Sequence, residues 1–146
     1  MIRMLAGVVG GYVVMFVVVF ATFTGAYALL GADGAFRPGS YEVTPAWIAL
    51  SFVLGLVAAI AGGMVCVAIA RRPAGPRVLA GMVLLLGLAM AIPVLLEKER
   101  PSQARTEGVG NSEAMMRART PAWVALLTPL VGAVGVLAGA GMRSRP

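Results

Sequence analysis

Few residues of this chain could perform chemistry. Glu97 and Glu99 are the closest approach to a pair of carboxylates, and they follow an apolar run, where one could act as a base on a lipid headgroup. Charge flanking of a membrane helix is the favoured role, because the two residues are expected at a helix end at the membrane interface. The single cysteine, Cys66, lies inside an apolar run and is expected to pack there. We therefore predict no catalytic residue, no metal site, no cofactor and no enzyme activity.

The long apolar runs contain only weakly polar side chains. Proton-coupled transporters usually keep an ionisable residue inside the membrane despite a cost of about 2.5–3.5 kcal/mol or more. Small four-helix multidrug exporters depend on an intramembrane glutamate, which this chain lacks. The polar side chains within the runs are Tyr12, Thr22, Thr24, Tyr27, Ser51, Cys66 and Thr128. Their chemistry argues against proton-coupled transport.

Composition and segment length indicate a membrane protein. The 146 residues are 60% hydrophobic and 12% charged, whereas soluble domains are about 25% charged. Four apolar segments, each long enough for a span of about 20 residues, cover approximately residues 5–30, 45–70, 78–96 and 121–142. We predict an all-α, polytopic protein with one transmembrane domain, residues 1–146, and an extracytoplasmic loop at 97–120. The first segment exceeds the roughly 7–15 apolar residues of a signal peptide and is predicted to be a retained helix.

One seven-residue motif occurs twice, each time at the start of an apolar segment. The copies are Thr44-Pro45-Ala46-Trp47-Ile48-Ala49-Leu50 and Thr120-Pro121-Ala122-Trp123-Val124-Ala125-Leu126. Threonine is a good N-cap, proline fits the first helical position, and tryptophan favours the headgroup level. These three residue types are predicted to start a helix at the membrane surface in each copy, at Thr44, Pro45, Trp47, Thr120, Pro121 and Trp123.

This motif belongs to a longer internal similarity. Its copies lie 76 positions apart, and Arg3-Met4-Leu5-Ala6-Gly7-Val8-Val9 is echoed 74 positions later by Arg77-Val78-Leu79-Ala80-Gly81-Met82-Val83. Both halves also end in an arginine- and proline-containing stretch. We predict two parallel two-helix repeats, residues 1–75 and 76–146, related by an axis along the membrane normal.

The charge distribution predicts the orientation. Six arginines without any acid occupy the N-terminus, the short second connection and the C-terminal tail: Arg3, Arg71, Arg72, Arg77, Arg143 and Arg145. The opposite side carries six basic and six acidic residues. Arginine density in the short connection places both termini in the cytoplasm, and Arg71, Arg72 and Arg77 are predicted to contact anionic lipid. The net charge of +6 is thus explained without nucleic-acid binding.

Small residues recur at the spacing of close helix contacts. They are Gly7 and Gly11; Gly55, Ala59 and Gly63; and Gly135 and Gly139. Such stripes let helix backbones approach closely in lipid. Packing within one protomer is the default interpretation, and contact with a second copy is the alternative.

Two functional hypotheses stand ahead of a third, an enzyme that acts on lipid headgroups with Glu97 or Glu99 as its base. The first is a non-catalytic accessory, scaffold or self-associating subunit, whose partners are the lipid bilayer and a second copy or another membrane protein. The second is a small permease or channel for an uncharged or lipid-like solute. It rests on the duplication and on Pro93 and Pro129, which would open an outward-facing crevice. Its predicted polar path comprises Thr22, Thr24, Ser51 and Thr128.

The chain resembles the small four-helix inner-membrane proteins of bacteria. Its bias towards alanine, valine, glycine and arginine is typical of coding from a GC-rich bacterial genome. The predicted location is therefore the bacterial inner membrane, with several crossings.

Overall fold

A computed structural model describes residues 1–96 and 119–144. Most of the predicted loop at 97–120, including Glu97 and Glu99, lies outside the described residues. Within those ranges the chain is all-helical, as predicted, apart from isolated bridges. The four helices are Ile2–Ala35 (α1), Pro45–Ala70 (α2), Ala74–Leu96 (α3) and Ala122–Ser144 (α4).

Each of these helices is long and apolar enough to cross a membrane. The spans contain 30, 26, 23 and 22 residues, with mean hydropathies of 2.4, 2.6, 2.6 and 2.0. The prediction of a multi-pass membrane protein is thus confirmed. α1 extends past a break at Gly31, where φ is 65° and ψ is −177°. α3 starts at Ala74 instead of near residue 78, because Pro76 lies in its first turn, where a missing N–H is tolerated.

The helices form a ring in the order α1, α2, α4, α3. Long contacts join α1 to α2, α2 to α4 and α4 to α3. α1 and α3 meet over a much shorter length, where a Cβ at Gly11 would lie 2.8 Å from Leu79 Cδ2. Within the described chain, α1 and α4 share no contact. The ring is therefore weakest between α1 and α3.

The bundle has two distinct ends. Arg3, Arg71 and Arg77 mark one end, which we call the arginine end; α1 and α3 begin there. Residues 36–44 and 119–121 mark the other, which we call the hairpin end because α1 joins α2 there.

Glycines bring the backbones of α1 and α2 together. A methyl group at Gly7 would lie 2.7 Å from Ala70 Cβ, and one at Gly11 would lie 2.7 Å from the carbonyl oxygen of Gly62. Gly7 and Gly11 are both buried. Since lipid provides no hydrophobic drive between helices, this close packing is what holds the pair together.

The contact between α2 and α4 is reciprocal. Gly63 lies against the carbonyl oxygen of Val136, and Gly139 lies against the carbonyl oxygen of Ile60. A displacement of 76 positions carries Ile60 to Val136 and Gly63 to Gly139. Each helix therefore contributes one glycine and one carbonyl oxygen to the contact, and the two pairs are 76 positions apart in the chain.

Most of the predicted small-residue stripes are occupied inside the protomer. Ala59 packs on Gly135, where an added Cβ would lie 2.7 Å from Ala59 Cβ. The six predicted packing residues found in contacts between helices are Gly7, Gly11, Ala59, Gly63, Gly135 and Gly139. Gly55 differs and is described with the candidate site.

The core is small and the outer surface is apolar. A cluster of buried residues joins all four helices and consists of Val8, Ala59, Cys66, Leu79, Ala80 and Val136. Large side chains such as Phe16, Leu85 and Val134 are 64%, 70% and 64% exposed. An apolar surface of this extent is normal for a protein surrounded by lipid. Cys66 is fully buried in the cluster, which agrees with its predicted packing role.

We expect Gly63→Ala and Gly139→Ala to destabilise the bundle, because the new methyl group would overlap a carbonyl oxygen of the facing helix. Overpacking of this kind costs about 1–3 kcal/mol. Gly81→Ala is the matched control, since its Cβ would meet nothing within 4 Å in the described structure. Thermal unfolding in mild detergent should show lower midpoints for the first two variants only. Equal midpoints for all three would contradict the reciprocal contact.

Candidate functional site

The first copy of the repeated motif, residues 44–50, starts α2 as predicted. The Thr44 side-chain oxygen accepts a hydrogen bond from Trp47 N at 3.2 Å and donates one to the carbonyl oxygen of Gly34 at 3.1 Å. The backbone N–H of Thr44 donates to the carbonyl oxygen of Ala35 at 2.9 Å. Pro45 occupies the start of the helix. Thr44 therefore caps α2 and ties its start to the end of α1.

The second copy starts its helix differently. α4 begins at Ala122, and Val124 N donates to the carbonyl oxygen of Pro121 at 3.0 Å. Among the described residues, Trp123 N makes no hydrogen bond with the Thr120 side chain. The predicted cap at Thr120 is therefore wrong. The physical reason is that the helix starts one residue later than in α2, which leaves Thr120 outside the capping position.

An aromatic cluster covers the junction of α1 and α2 at the hairpin end. The rings of Tyr27 and Trp47 lie 5.8 Å apart edge to face, and Phe36 contacts Tyr27 at 6.3 Å and Tyr41 at 6.4 Å in similar geometry. Edge-to-face pairs add stability beyond their buried area. Trp47 thus packs against aromatic rings of α1. Trp123, which is 52% exposed, stacks on Phe52 at 6.3 Å.

Below this cluster, an apolar crevice of about 510 Å³ lies between the four helices. α1 contributes Met15, Val19 and Phe23, two turns of one helix face. At 1.5 Å per residue the lining extends for roughly 12 Å, which is close to half of a hydrocarbon core of about 30 Å. The other helices contribute residues that include Trp47, Ser51, Gly55, Gly87, Met90, Val124, Thr128 and Pro129. The volume is within the range of about 300–1,000 Å³ typical of ligand sites.

The crevice exists because α1 and α3 separate towards the hairpin end. They meet at Gly11 and Leu79, whereas the outer turns of both helices line the crevice. Leu79 and Val136 are fully buried and close the space towards the arginine end. The crevice is therefore closed towards the arginine end.

Gly55 lines the crevice and does not pack against a helix. A Cβ added there would meet no described atom within 4 Å. Its predicted place in the packing stripe with Ala59 and Gly63 is therefore wrong. Because α2 turns this residue towards the crevice, its missing side chain adds free volume.

The two prolines inside helices have different surroundings. Pro129 is buried and lines the crevice, and a Cβ on Gly87 would overlap the Pro129 Cβ, so α3 and α4 are in close contact there. Pro93 is exposed and does not line the crevice. α3 and α4 continue through both prolines. Of the two predicted positions, only Pro129 shapes the space.

The predicted polar path is absent from the described residues. Ser51 and Thr128 line the crevice, but their hydroxyls donate to the carbonyl oxygens of Trp47 and Val124, each at 2.7 Å. Thr22 donates to the carbonyl oxygen of Val18 at 2.7 Å, and neither Thr22 nor Thr24 lines the crevice. Hydroxyls bonded to their own helix offer no donor to a solute. The space is thus suited to apolar groups.

A second cavity, of about 660 Å³, lies beside the crevice at the hairpin end. Its charged lining residues are Arg37, Glu42 and Arg119, and an Arg37 guanidinium nitrogen lies 3.4 Å from a Glu42 carboxylate oxygen. Both cavities are lined by the four residues Val43, Ile48, Phe52 and Thr120. An apolar space and a charged space therefore adjoin.

The arginine end presents the residues predicted to touch anionic lipid. Arg71, Arg72 and Arg77 are exposed. Arg71 ends α2 in the left-handed conformation, with φ of 51°, and its N–H donates to the carbonyl oxygen of Val67 at 2.9 Å. The lipid contact itself stays a prediction.

The comparisons with known proteins give no relative. No protein-family model matches the chain. No curated protein and no solved structure matches it either. The candidate function therefore depends on the geometry of this chain alone.

The room in the crevice predicts opposite effects for two glycine variants. Gly55→Leu should leave stability unchanged or raise it, because the new side chain enters free volume. Gly87→Leu should destabilise the protein by about 1–3 kcal/mol, because it would be forced against Pro129. The half-life of the folded protein in detergent at a fixed elevated temperature measures both. Rapid inactivation of Gly55→Leu would refute the open crevice.

Proposed function

We propose that the protein is a non-catalytic, multi-pass protein of the bacterial inner membrane that binds a lipid-like molecule in its crevice. The observation that carries the proposal is the apolar crevice of about 510 Å³ between the four helices, closed towards the arginine end. The arginine distribution supports an orientation with both termini in the cytoplasm. The crevice then lies in the outer half of the bilayer.

The chemistry of the lining supports an apolar ligand over a polar one. The hydroxyls of Ser51 and Thr128 are used within α2 and α4. Aromatic and aliphatic side chains such as Phe23, Trp47 and Met90 form much of the wall. Apolar pockets with few polar groups are typical of sites for hydrophobic ligands.

Closure at the arginine end supports binding over conduction. Leu79 and Val136 are fully buried on the arginine side of the crevice. A channel would need a path through this cluster. We therefore favour a protein that holds its ligand from one side, as a carrier or presenting subunit, over an open pore.

The contact between α2 and α4 fits the expected duplication locally. The reciprocal contacts of Gly63 with Val136 and of Gly139 with Ile60 are what an axis between α2 and α4 would produce. The same axis would put α1 and α3 on opposite sides of this pair, whereas they touch at Gly11 and Leu79. The outer helices therefore depart from the expected symmetry.

The accessory or scaffold hypothesis stays untested. Its motivation is abundant packing surface without site chemistry, and self-association through the glycine stripes is one form of it. Gly7, Gly11, Gly63 and Gly139 are instead buried against other helices of the same chain. These stripes therefore give no argument for self-association, and lipid binding has the stronger structural support.

The ligand proposal predicts saturable quenching of Trp47. The chain has two tryptophans, so Trp123→Phe leaves Trp47, in the crevice wall, as the only one. Diacylglycerol with brominated chains should quench its fluorescence in a saturable manner in detergent. Adding Gly55→Leu should abolish the saturable component, because the leucine fills the site. Adding Gly25→Leu, which has open space around it and does not line the crevice, should not.

Quenching that rises linearly with lipid in every variant would refute the binding site, since it would report only partitioning into the micelle.

The proposed orientation predicts the behaviour of reporter fusions. A green fluorescent protein fused after Pro146 should fluoresce, and alkaline phosphatase inserted between residues 97 and 118 should be active. Both results follow from cytoplasmic termini. The reverse pattern would place the crevice in the inner half of the bilayer.

A further inference from the structure

Pro129 leaves one backbone carbonyl of α4 without its usual hydrogen bond. In an α-helix each N–H donates to the carbonyl oxygen four residues earlier, and proline has no N–H. α4 continues through Pro129, so the carbonyl oxygen of Ala125 lacks the donor that a regular helix supplies. A displacement of 76 positions carries Val53 of α2 to Pro129, and Val53 has an N–H. Of these two helices, only α4 therefore has the missing donor.

No side chain in the described part of the chain replaces this donor. The nearest hydroxyl along the helix is that of Thr128, and it donates to the carbonyl oxygen of Val124 at 2.7 Å. None of the other side-chain hydrogen bonds within residues 1–96 and 119–144 reaches Ala125. Membrane helices tolerate an internal proline where another group satisfies the freed carbonyl. The Ala125 carbonyl oxygen is thus an acceptor that a ligand could use.

This acceptor belongs to the wall of the crevice. Ala125 and Pro129 both line the space; Ala125 is half-buried and Pro129 is buried. Ala125 comes three residues after the start of α4 at Ala122, which is about 5 Å along the helix axis. The apolar wall continues from there towards the arginine end. One backbone acceptor therefore lies near the hairpin end of an otherwise apolar space.

We infer that the crevice binds a lipid alcohol, whose hydroxyl donates to the carbonyl oxygen of Ala125 while its hydrocarbon chain packs on the apolar wall. This inference rests on the proposed function, because the crevice supplies the site for the chain. It extends that function by naming the class of lipid.

The chemistry of a carbonyl oxygen selects the hydroxyl. A backbone carbonyl can only accept, so its partner must carry an O–H or N–H group. A phosphate diester, an ionised carboxylate and a simple ester have no such proton. Diacylglycerol and long-chain alcohols have one hydroxyl on an otherwise apolar body. Because a carbonyl without a partner is costly in hydrocarbon, the hydroxyl satisfies a group that an alkane would leave bare.

The test compares brominated diacylglycerol with its methyl ether, in which the hydroxyl is capped. Both dissociation constants are measured by quenching of Trp47 in the Trp123→Phe background. Diacylglycerol should bind roughly three- to tenfold more tightly than the ether, the range expected for one neutral hydrogen bond. This ratio of dissociation constants is the quantity that the variants should change.

Pro129→Ala is the decisive variant. It restores an N–H that can donate to the Ala125 carbonyl oxygen, and it keeps the Cβ that faces Gly87. The ratio should fall towards one. Pro93→Ala is the matched control, because Pro93 is also inside a helix but is exposed and does not line the crevice. Its ratio should equal that of the parent protein.

The ratio separates the hydrogen bond from other effects of the substitutions. A change in the shape or stability of the crevice affects both lipids and cancels. Poor fit of the added methyl group would persist in Pro129→Ala, so a ratio that stays high in this variant would overturn the inference. A ratio that falls in Thr128→Val and stays high in Pro129→Ala would assign the acceptor to the Thr128 hydroxyl, and would also overturn it.

The same measurements distinguish failure of this inference from failure of the proposed function. Equal, saturable binding of both lipids by the parent protein would leave the crevice as a lipid site and show that the hydroxyl assignment is wrong. Absence of saturation with either lipid would refute the crevice proposal, and the inference with it. A preference for the alcohol that Pro129→Ala abolishes and Pro93→Ala retains would support both.

Discussion

The structure depends on the direct backbone contact between α2 and α4. Gly63 and Gly139 each place a bare Cα against a carbonyl oxygen of the opposite helix, contributed by Val136 and Ile60. No side chain separates the two helices at these points, so their distance and register are fixed together. α1 can then pack only on the free flank of α2, and α3 on that of α4. Because each outer helix is attached to a different central helix, they are free to diverge at one end, and the crevice opens there.

The bilayer explains why such a space can persist. In water, an apolar crevice would collapse, because burying its walls would be favourable. In hydrocarbon that driving force between helices is absent, and an open crevice is solvated by chains much like its own lining. The same argument explains why α3 and α4 touch so closely at Gly87 and Pro129. Shape complementarity, and not hydrophobicity, decides where these helices meet.

The hairpin end contains polar pairings that the apolar helices lack. Thr44 joins the end of α1 to the start of α2, and the pairing of Arg119 with Glu42 joins the second half of the chain to the first. Backbone groups outside the helices find partners in this small ladder. Its charged residues are held by the backbone while their side chains reach the surroundings. The charged lining residues are thus at one end of the bundle, and the apolar crevice lies below them.

The sequence by itself determined the class of fold and the place of each helix. Apolar runs of sufficient length can only be helices in lipid, because their backbone groups must bond within the segment. Small residues at four-residue spacing likewise identified Gly7, Gly63 and Gly139 as contact positions, since only such residues permit backbone contact. Local capping chemistry was read correctly at Thr44, where the necessary groups are neighbours in the chain.

The tertiary structure alone decided which face each residue presents. Gly55 has the same spacing as its neighbours in the stripe, but the rotation of α2 directs it into the crevice. Thr120 has the same local sequence as Thr44, but its helix starts one residue later. Arg119 joins Glu42 across a gap of 77 positions in the chain, a pairing that no local pattern encodes. Whether a segment forms a helix depends on its neighbours along the chain. The crevice and the pairing of Arg119 with Glu42 depend on how separate segments pack against one another.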